Sequence, residues 1–246
     1  MSADPQSVET VLVAGASGGT GREVLRILSS RVTVRALTRS PDKRSLLQSA
    51  GADEVVVDDL LAPDDLSRAI ADVDAVVSTV GSSAADVVMS RSGPFVDGAG
   101  TRRLLEAATD AGIDAFVMES ALGVGDDPAS RLGSLFDAAI GPIQAAKAEA
   151  EQAIRAAPIR HTILRPGILT NGGRTDAVSV ARPGARLWGA VSRADVARLL
   201  AAAPTTPAAA DETFEVVATP RFRDRELAIE WSLPTSASAA GDAAGE

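Results

Sequence analysis

The chain contains no cysteine, no tyrosine and a single histidine, His161, and only two of its residues, Lys43 and Lys147, are lysines. The absence of cysteine excludes disulfides, a thiolate nucleophile and a zinc–thiolate centre. Without tyrosine, no phenol can act as a general acid anywhere in the molecule. Aromatic residues make up 3% of the chain, and no apolar run reaches the roughly 18 residues that span a bilayer. The opening MSADPQSVET lacks the apolar stretch of a signal peptide, so a cytoplasmic protein without a membrane span is expected. Positive charge is also scarce: 24 basic residues, nearly all arginines and dispersed, face 33 acidic ones, for a formal net charge of −9. A protein that neutralises nucleic-acid phosphates needs a basic face, so nucleic acid is not an expected partner. Acidity with so few lysines has two readings: adaptation to high salt, as in halophilic proteins, or a compositional bias that replaces lysine by arginine.

What the chain has is apolar aliphatic residues and glycine. Hydrophobic residues are 46% of 246 positions, enough for one α/β core burying roughly 70 to 75% of the surface of the unfolded chain. The most informative run is VLVAGASGGTG at residues 11–21, with Gly15, Gly18 and Gly21 between an apolar strand and an amphipathic helix carrying Val24, Ile27 and Leu28 on one face. That is a phosphate-binding turn. Gly15 permits the sharp turn, Gly18 lets backbone N–H groups approach a pyrophosphate, and Gly21 lets helix and strand pack closely. Ser17 and Thr20 add hydroxyl donors, and the helix amino terminus adds oriented N–H groups with about half a positive charge.

Apolar, β-rich runs recur at residues 32–37, 54–57, 75–79, 115–118, 162–164 and 214–217, with helical patterns at 22–29, 42–49, 64–71, 101–111, 143–156 and 193–202 between them. This alternation predicts a doubly wound parallel sheet, the Rossmann fold, as one domain over residues 1–234. Residues 235–246 are too poor in apolar side chains to fold and are expected to be a disordered acidic tail. Three segments break the rhythm, at 81–94, 123–141 and 171–189. They are expected either to wall and cover a substrate site, because loops after the carboxyl ends of strands line the crevice of such a sheet, or to be plain surface connections.

An NAD-selective protein usually carries an acid for the adenosine ribose at the end of the second strand. Here that strand ends in Arg39, with Lys43 four residues on. Guanidinium pairs with phosphate through two parallel hydrogen bonds, so these cations favour NADP over NAD, unless they form an ordinary basic turn beside Asp42.

Eight motifs in order, GASGGTGREVLRIL, ALTRSPDK, VVVDDLLAPDDL, AVVSTVG, GTRRLLEAATDAGIDAFVMESALGVGD, KAEAEQAI, HTILRPGILT and VSRADVARLL, resemble the atypical short-chain dehydrogenase/reductases, including NmrA-like and flavin/biliverdin-reductase-like members. The resemblance covers residues 10–217. It implies cofactor contacts by Gly15, Ser17, Gly18, Gly19, Thr20 and Arg39, adenine contacts by Asp59 and Leu60, ribose contacts by Thr79, Val80 and Gly81, and nicotinamide-side contacts by Pro166, Gly167 and Ile168. The family's catalytic set is a serine, a tyrosine and a lysine, the last two four apart on one helix. Ser120 matches the serine, Lys147 matches the lysine that also holds the ribose, and Ile143 stands where the tyrosine would be.

Other side chains carry weaker signals. Glu119 could supply a proton or point into solvent, His161 lies at the wrong end of its strand, and Arg165 could hold substrate or tie a loop through backbone carbonyls. Ser192 is placed to cap the helix that begins at Arg193, with Asp195 complementing its dipole. Trp188 could contact ligand or pack; Trp231 carries no functional signal. The expectation is an NADP-dependent oxidoreductase, monomeric or homodimeric, passing hydride to a small-molecule acceptor such as a flavin- or quinone-like ring. The rivals are a non-catalytic NAD(P)-binding redox sensor or assembly factor and a sugar-nucleotide epimerase-like enzyme.

Overall fold

The computed structural model describes residues 8–82, 94–125, 133–184, 189–222 and 225–235. Trp188, the tail beyond residue 235 and the middles of the first two rhythm-breaking segments lie outside these residues.

Eight strands form one sheet: β1 (Thr10–Ala14), β2 (Thr33–Thr38), β3 (Glu54–Val57), β4 (Ala75–Ser78), β5 (Ala115–Glu119), β6 (Arg160–Pro166), β8 (Ser179–Ala181) and β10 (Glu212–Val217). Their order is β3-β2-β1-β4-β5-β6-β10-β8, and every pair is parallel except β10 with β8. The first six positions give the Rossmann order, in which the winding reverses between β1 and β4 and opens a crevice at their carboxyl ends. A small second sheet pairs β7 (Ile168–Thr170) with β9 (Ala190–Ser192).

Successive residues of each strand feed two cores. Val11, Val13, Val77, Val117 and Leu164 face α1 (Gly19–Leu28) and α6 (Arg193–Ala202). Leu12, Val76, Phe116, Met118 and Ile163 face α4 (Thr101–Asp110) and α5 (Gly133–Ala156). The period of two explains why the strands read as unbroken apolar runs: both faces are covered. α2 (Arg44–Ser49) and α3 (Ser67–Ile70) are shorter connections. Among the described residues no helix is long and apolar enough to cross a membrane.

Three features depart from the sequence expectation. The segment 171–189 is not a bare loop but carries β8, and β7 and β9 flank it; each has three residues, too few to show a period. α5 begins at Gly133, ten residues before the expected start at Ile143, and runs through Pro142, a residue that forfeits one backbone hydrogen bond inside a helix. A π-helical turn, Val96–Gly100, runs directly into α4 and buries Asp97 completely. Such turns recur at functional sites because they redirect one side chain out of helical register.

Candidate active site

The turn after β1 is held by backbone geometry and by the Thr79 hydroxyl, which donates to the Gly15 carbonyl at 3.2 Å. Gly15 has φ +71°, and a Cβ there would lie 2.6 Å from the Thr79 carbonyl oxygen. The Gly18 N–H donates to the Gly15 carbonyl at 2.9 Å, closing the turn. The Thr79 hydroxyl donates to the Ala14 carbonyl at 3.0 Å, which locks the end of β4 to the end of β1.

A cavity of about 290 Å³ opens beside this turn. Gly15, Ser17 and Gly18 line one wall, and Arg39 stands at the end of β2. Asp59 and Leu60 approach from the loop after β3, while Thr79, Val80 and Gly81 close it from β4. The structure therefore brings together the residues expected on the adenosine and pyrophosphate side. Arg39 is exposed and has no ion pair among the described residues, whereas Lys43 pairs with Asp42 at 3.3 Å and does not line the cavity.

Gly19 and Thr20 do not line the cavity but form the first turn of α1 behind it. A Cβ at Gly19 would lie 2.6 Å from Cδ of Arg193, so this glycine makes room for an arginine from α6. The Arg193 guanidinium donates to Oδ1 of Asn171 at 2.6 Å and to the Leu169 carbonyl at 3.4 Å.

Two adjacent residues at the end of β5 point to opposite faces and meet different partners. Glu119 turns toward α1, where its Oε1 accepts the Thr20 hydroxyl at 2.9 Å. It is buried, not solvent-facing. Burial pushes its pKa up to about 7, against the hydrogen bond from Thr20 and the charges of Lys147 and Arg193, which oppose the rise. Ser120 turns toward α5 and donates to Oε1 of Glu151 at 2.6 Å. Glu151 is fully buried and also accepts from Arg165 Nε at 2.9 Å and Nη2 at 2.5 Å, and from Arg155 at 2.9 Å. Burial raises the pKa of Glu151, but the Arg165 hydrogen bond and charge, with Ser120 and Arg155, outweigh it and hold the carboxyl below its ordinary value. Arg165 thus anchors to a carboxylate on α5 rather than to backbone carbonyls.

Lys147 sits one helical turn before Glu151. Its Nζ lies 3.1 Å from Oδ1 of Asp97 and donates to the Glu119 carbonyl at 3.3 Å. Asp97 in turn accepts the Ser82 N–H at 2.8 Å. Because Gly81 and Ser82 line the cavity, the Asp97–Lys147 pair joins it to the β5 cluster. Ile143, at the position of the expected tyrosine, is half-buried and apolar. Asp97, Glu151 and the Gly19–Arg193 packing escaped the sequence reading. The first two are acids inside helical segments; Asp97 meets Lys147 from a different element, so nothing local in sequence marks it, whereas Glu151, four residues after Lys147 and four before Arg155 on one helix face, left a signal.

Pro166, Gly167 and Ile168 cross from β6 into β7, outside the cavity lining. The Gly167 N–H donates to the Val216 carbonyl at 2.9 Å, and Ile168 is an exposed apolar side chain, 54% accessible. His161 is buried at the opposite end of β6, 3.3 Å from Asp211. Ser192 caps α6 by accepting the Asp195 N–H at 3.0 Å, and Asp195 is itself tied to Thr175. Trp231 packs edge-on against Phe214 with ring centroids 5.9 Å apart.

Residues 15–207 match the family described as NAD(P)H-binding. The uncharacterized sugar epimerase YhfK of Bacillus subtilis is 30% identical over 194 residues, which is 78% of this chain and 86% of that protein. Sanguinarine reductase of Eschscholzia californica is 29% identical over 234 residues, 79% of this chain and 84% of that one. The structure of ChuY, an anaerobilin reductase from Escherichia coli O157:H7, superposes with a TM-score of 0.71 at 24% identity, covering 86% of this chain and 98% of that one, and bears out the fold. With the Rossmann order, the glycine turn and the cavity beside it, the chain belongs to the NAD(P)H-binding family of atypical short-chain dehydrogenase/reductase-like proteins.

Proposed function

We propose that this protein is an NADP(H)-dependent reductase that passes hydride to a small acceptor with a delocalised ring, flavin- or quinone-like. The observation that carries the cofactor choice is Arg39, a cation without an ion partner among the described residues, on the wall of the cavity beside the glycine turn, where a ribose-binding acid would otherwise stand. The turn from Gly15 to Thr20 would hold the pyrophosphate, with Asp59 and Leu60 on the adenine. Thr79, Val80, Gly81 and Lys147 would take the two riboses, and Pro166, Gly167 and Ile168 the nicotinamide side. When bound, NADPH supplies the hydride.

The choice of acceptor rests on Ile143. An isoleucine cannot deliver a proton to a carbonyl oxygen as hydride arrives, whereas a delocalised ring spreads the charge and can take its proton from water afterwards. A reductase among the relatives supports the reaction class. The test is stopped-flow oxidation of NADPH with a flavin and quinone panel against a carbonyl panel. Ring acceptors should turn over with carbonyls at background, and rapid carbonyl reduction by the unaltered protein would overturn the reading.

One observation favours a second reading, a nucleotide-binding sensor or assembly factor. Lys147 is already paired with Asp97 and Ser120 already donates to Glu151, so both candidate catalytic side chains have internal partners. Inactivity toward every acceptor combined with tight nucleotide binding would select it. The epimerase reading, suggested by the name of one relative, lacks the tyrosine that such chemistry uses.

A further inference from the structure

Glu119 is a buried carboxyl that no step above uses, and its surroundings connect it to the phosphate turn. Three elements pack charged or polar groups against it. From α1 comes the Thr20 hydroxyl at 2.9 Å. From α5 comes Lys147, which touches the Glu119 backbone carbonyl and sits against Asp97, so its charge is already met. From α6 comes Arg193, whose stem lies over Gly19 and whose guanidinium is held by Asn171 and the Leu169 carbonyl. The carboxyl is therefore close to cations but hydrogen-bonded, through its side chain, to a hydroxyl in the first turn of the helix that would face a pyrophosphate.

We propose that Glu119 positions the phosphate-binding turn through Thr20 as a neutral carboxylic acid, and that binding a dinucleotide takes up a proton at this side chain. The inference rests on the nucleotide-binding reading above. An ionised carboxylate in the wall behind the turn would repel the two negative charges of a pyrophosphate. At an effective dielectric of about 20, one unit charge about 10 Å away moves a pKa by roughly one unit. The free side chain, pushed up to about 7 by burial, is half protonated near neutral pH, and the bound one stays protonated well above it. Linkage then requires affinity to be flat below about pH 6 and to fall as pH rises past 7, by up to tenfold per unit until the bound-state value is passed.

The experiment is titration calorimetry of NADP⁺ binding from pH 6.5 to 9 in buffers of different ionisation enthalpy, on the full chain and on Glu119→Gln. The amide keeps an oxygen for the Thr20 hydroxyl and cannot titrate. The unaltered protein should take up several tenths of a proton at pH 7.5 and lose about tenfold or more in affinity across the range. Glu119→Gln should show neither effect. A merely structural role would change affinity by the same factor at every pH. Thr20→Val is the second variant: it removes a hydrogen bond that favours the ionised form, so the midpoint of the pH dependence should move upward. Binding without proton uptake, an equal slope in Glu119→Gln, or an unmoved midpoint in Thr20→Val overturns the inference while leaving the nucleotide-binding reading intact; absence of binding at any pH overturns both.

Discussion

Replacing Glu151 by glutamine should be among the most damaging conservative changes this protein can suffer. The carboxylate is fully buried and accepts four hydrogen bonds, one from Ser120, two from Arg165 and one from Arg155. A glutamine can offer its oxygen to Ser120 and to Nε of Arg165, but its amide then presents hydrogens to Nη2 of Arg165 and to Arg155, donor against donor. The partners do not count equally. The Arg155 side chain is 43% exposed and regains water, so its share is at most about 1 kcal/mol. The Arg165 side chain is 12% exposed and is left as a buried cation without a counter-charge. Removing one member of such a pair costs about 3 to 5 kcal/mol, which in a chain of this size lowers the melting temperature by roughly 6 to 20 °C. Urea unfolding at pH 7.5, followed by circular dichroism, measures it. Glu151→Met combined with Arg165→Met should recover most of the loss, because two apolar side chains of similar volume replace the charges together. A loss below about 1 kcal/mol for Glu151→Gln, or no recovery in the double variant, would refute the picture of Glu151 as the hub that ties β5 and β6 to α5.

Arg39→Ala should weaken NADPH about 10- to 100-fold and leave NADH nearly unchanged, since a charged hydrogen bond to phosphate contributes roughly 1.5 to 3 kcal/mol; equal affinities of the unaltered protein for both cofactors would defeat this. Ile143→Tyr should raise reduction of simple aldehydes by up to the roughly 10²- to 10⁴-fold of a positioned general acid, read as kcat with NADPH saturating. Glu119 should make the fold less stable as pH rises. Its carboxyl ionises near 4.5 in the unfolded chain and near 7 when folded, so the folded state holds the extra proton between these values and stability falls across that window, by about 3 kcal/mol, relative to Glu119→Gln. Glu151 has the opposite sign: its folded pKa is depressed, so its contribution is present above about pH 4.5 and is lost as pH falls through the folded value. Chemical denaturation of Glu119→Gln and the unaltered protein from pH 4 to 8 tests the first slope, and parallel curves would rule it out.

The sheet and the grouping of residues around the cavity beside the glycine turn were legible because both are written in local pattern. Strands buried on two faces show as apolar runs, and β1 through β6 with β10 fall within a few residues of where those runs lie. A turn that needs φ near +71° at Gly15 shows as a glycine, and the neighbours of that turn along the carboxyl edge follow from the topology. The three-residue strands β7, β8 and β9 were not legible, because two alternations of polarity are no period. The start of α5 was hidden by Gly141-Pro142, a pair that ends most helices and sits inside this one.

The β5 cluster was hidden for a different reason: its chemistry depends on which face each side chain takes and, apart from Arg155, on partners 14 to 99 positions away in sequence. Glu119 and Ser120 are neighbours in the chain, yet the period of two sends one carboxyl behind the glycine turn and the next hydroxyl into a buried ion cluster. Residue type alone leaves Glu119 equally suited to solvent or to proton transfer. Burial against Thr20 decides that it faces inward, and the pairing of Lys147 with Asp97 decides that the nearest lysine does not neutralise it. The same pairing changes what Lys147 can do. In the arrangement that the family resemblance implies, the lysine acts on a tyrosine four residues earlier; here that position is apolar and the charge is met by an acid from the π-helical turn. A lone cation at 11% exposure would be costly to keep, and Asp97 supplies the counter-charge that keeps it in place.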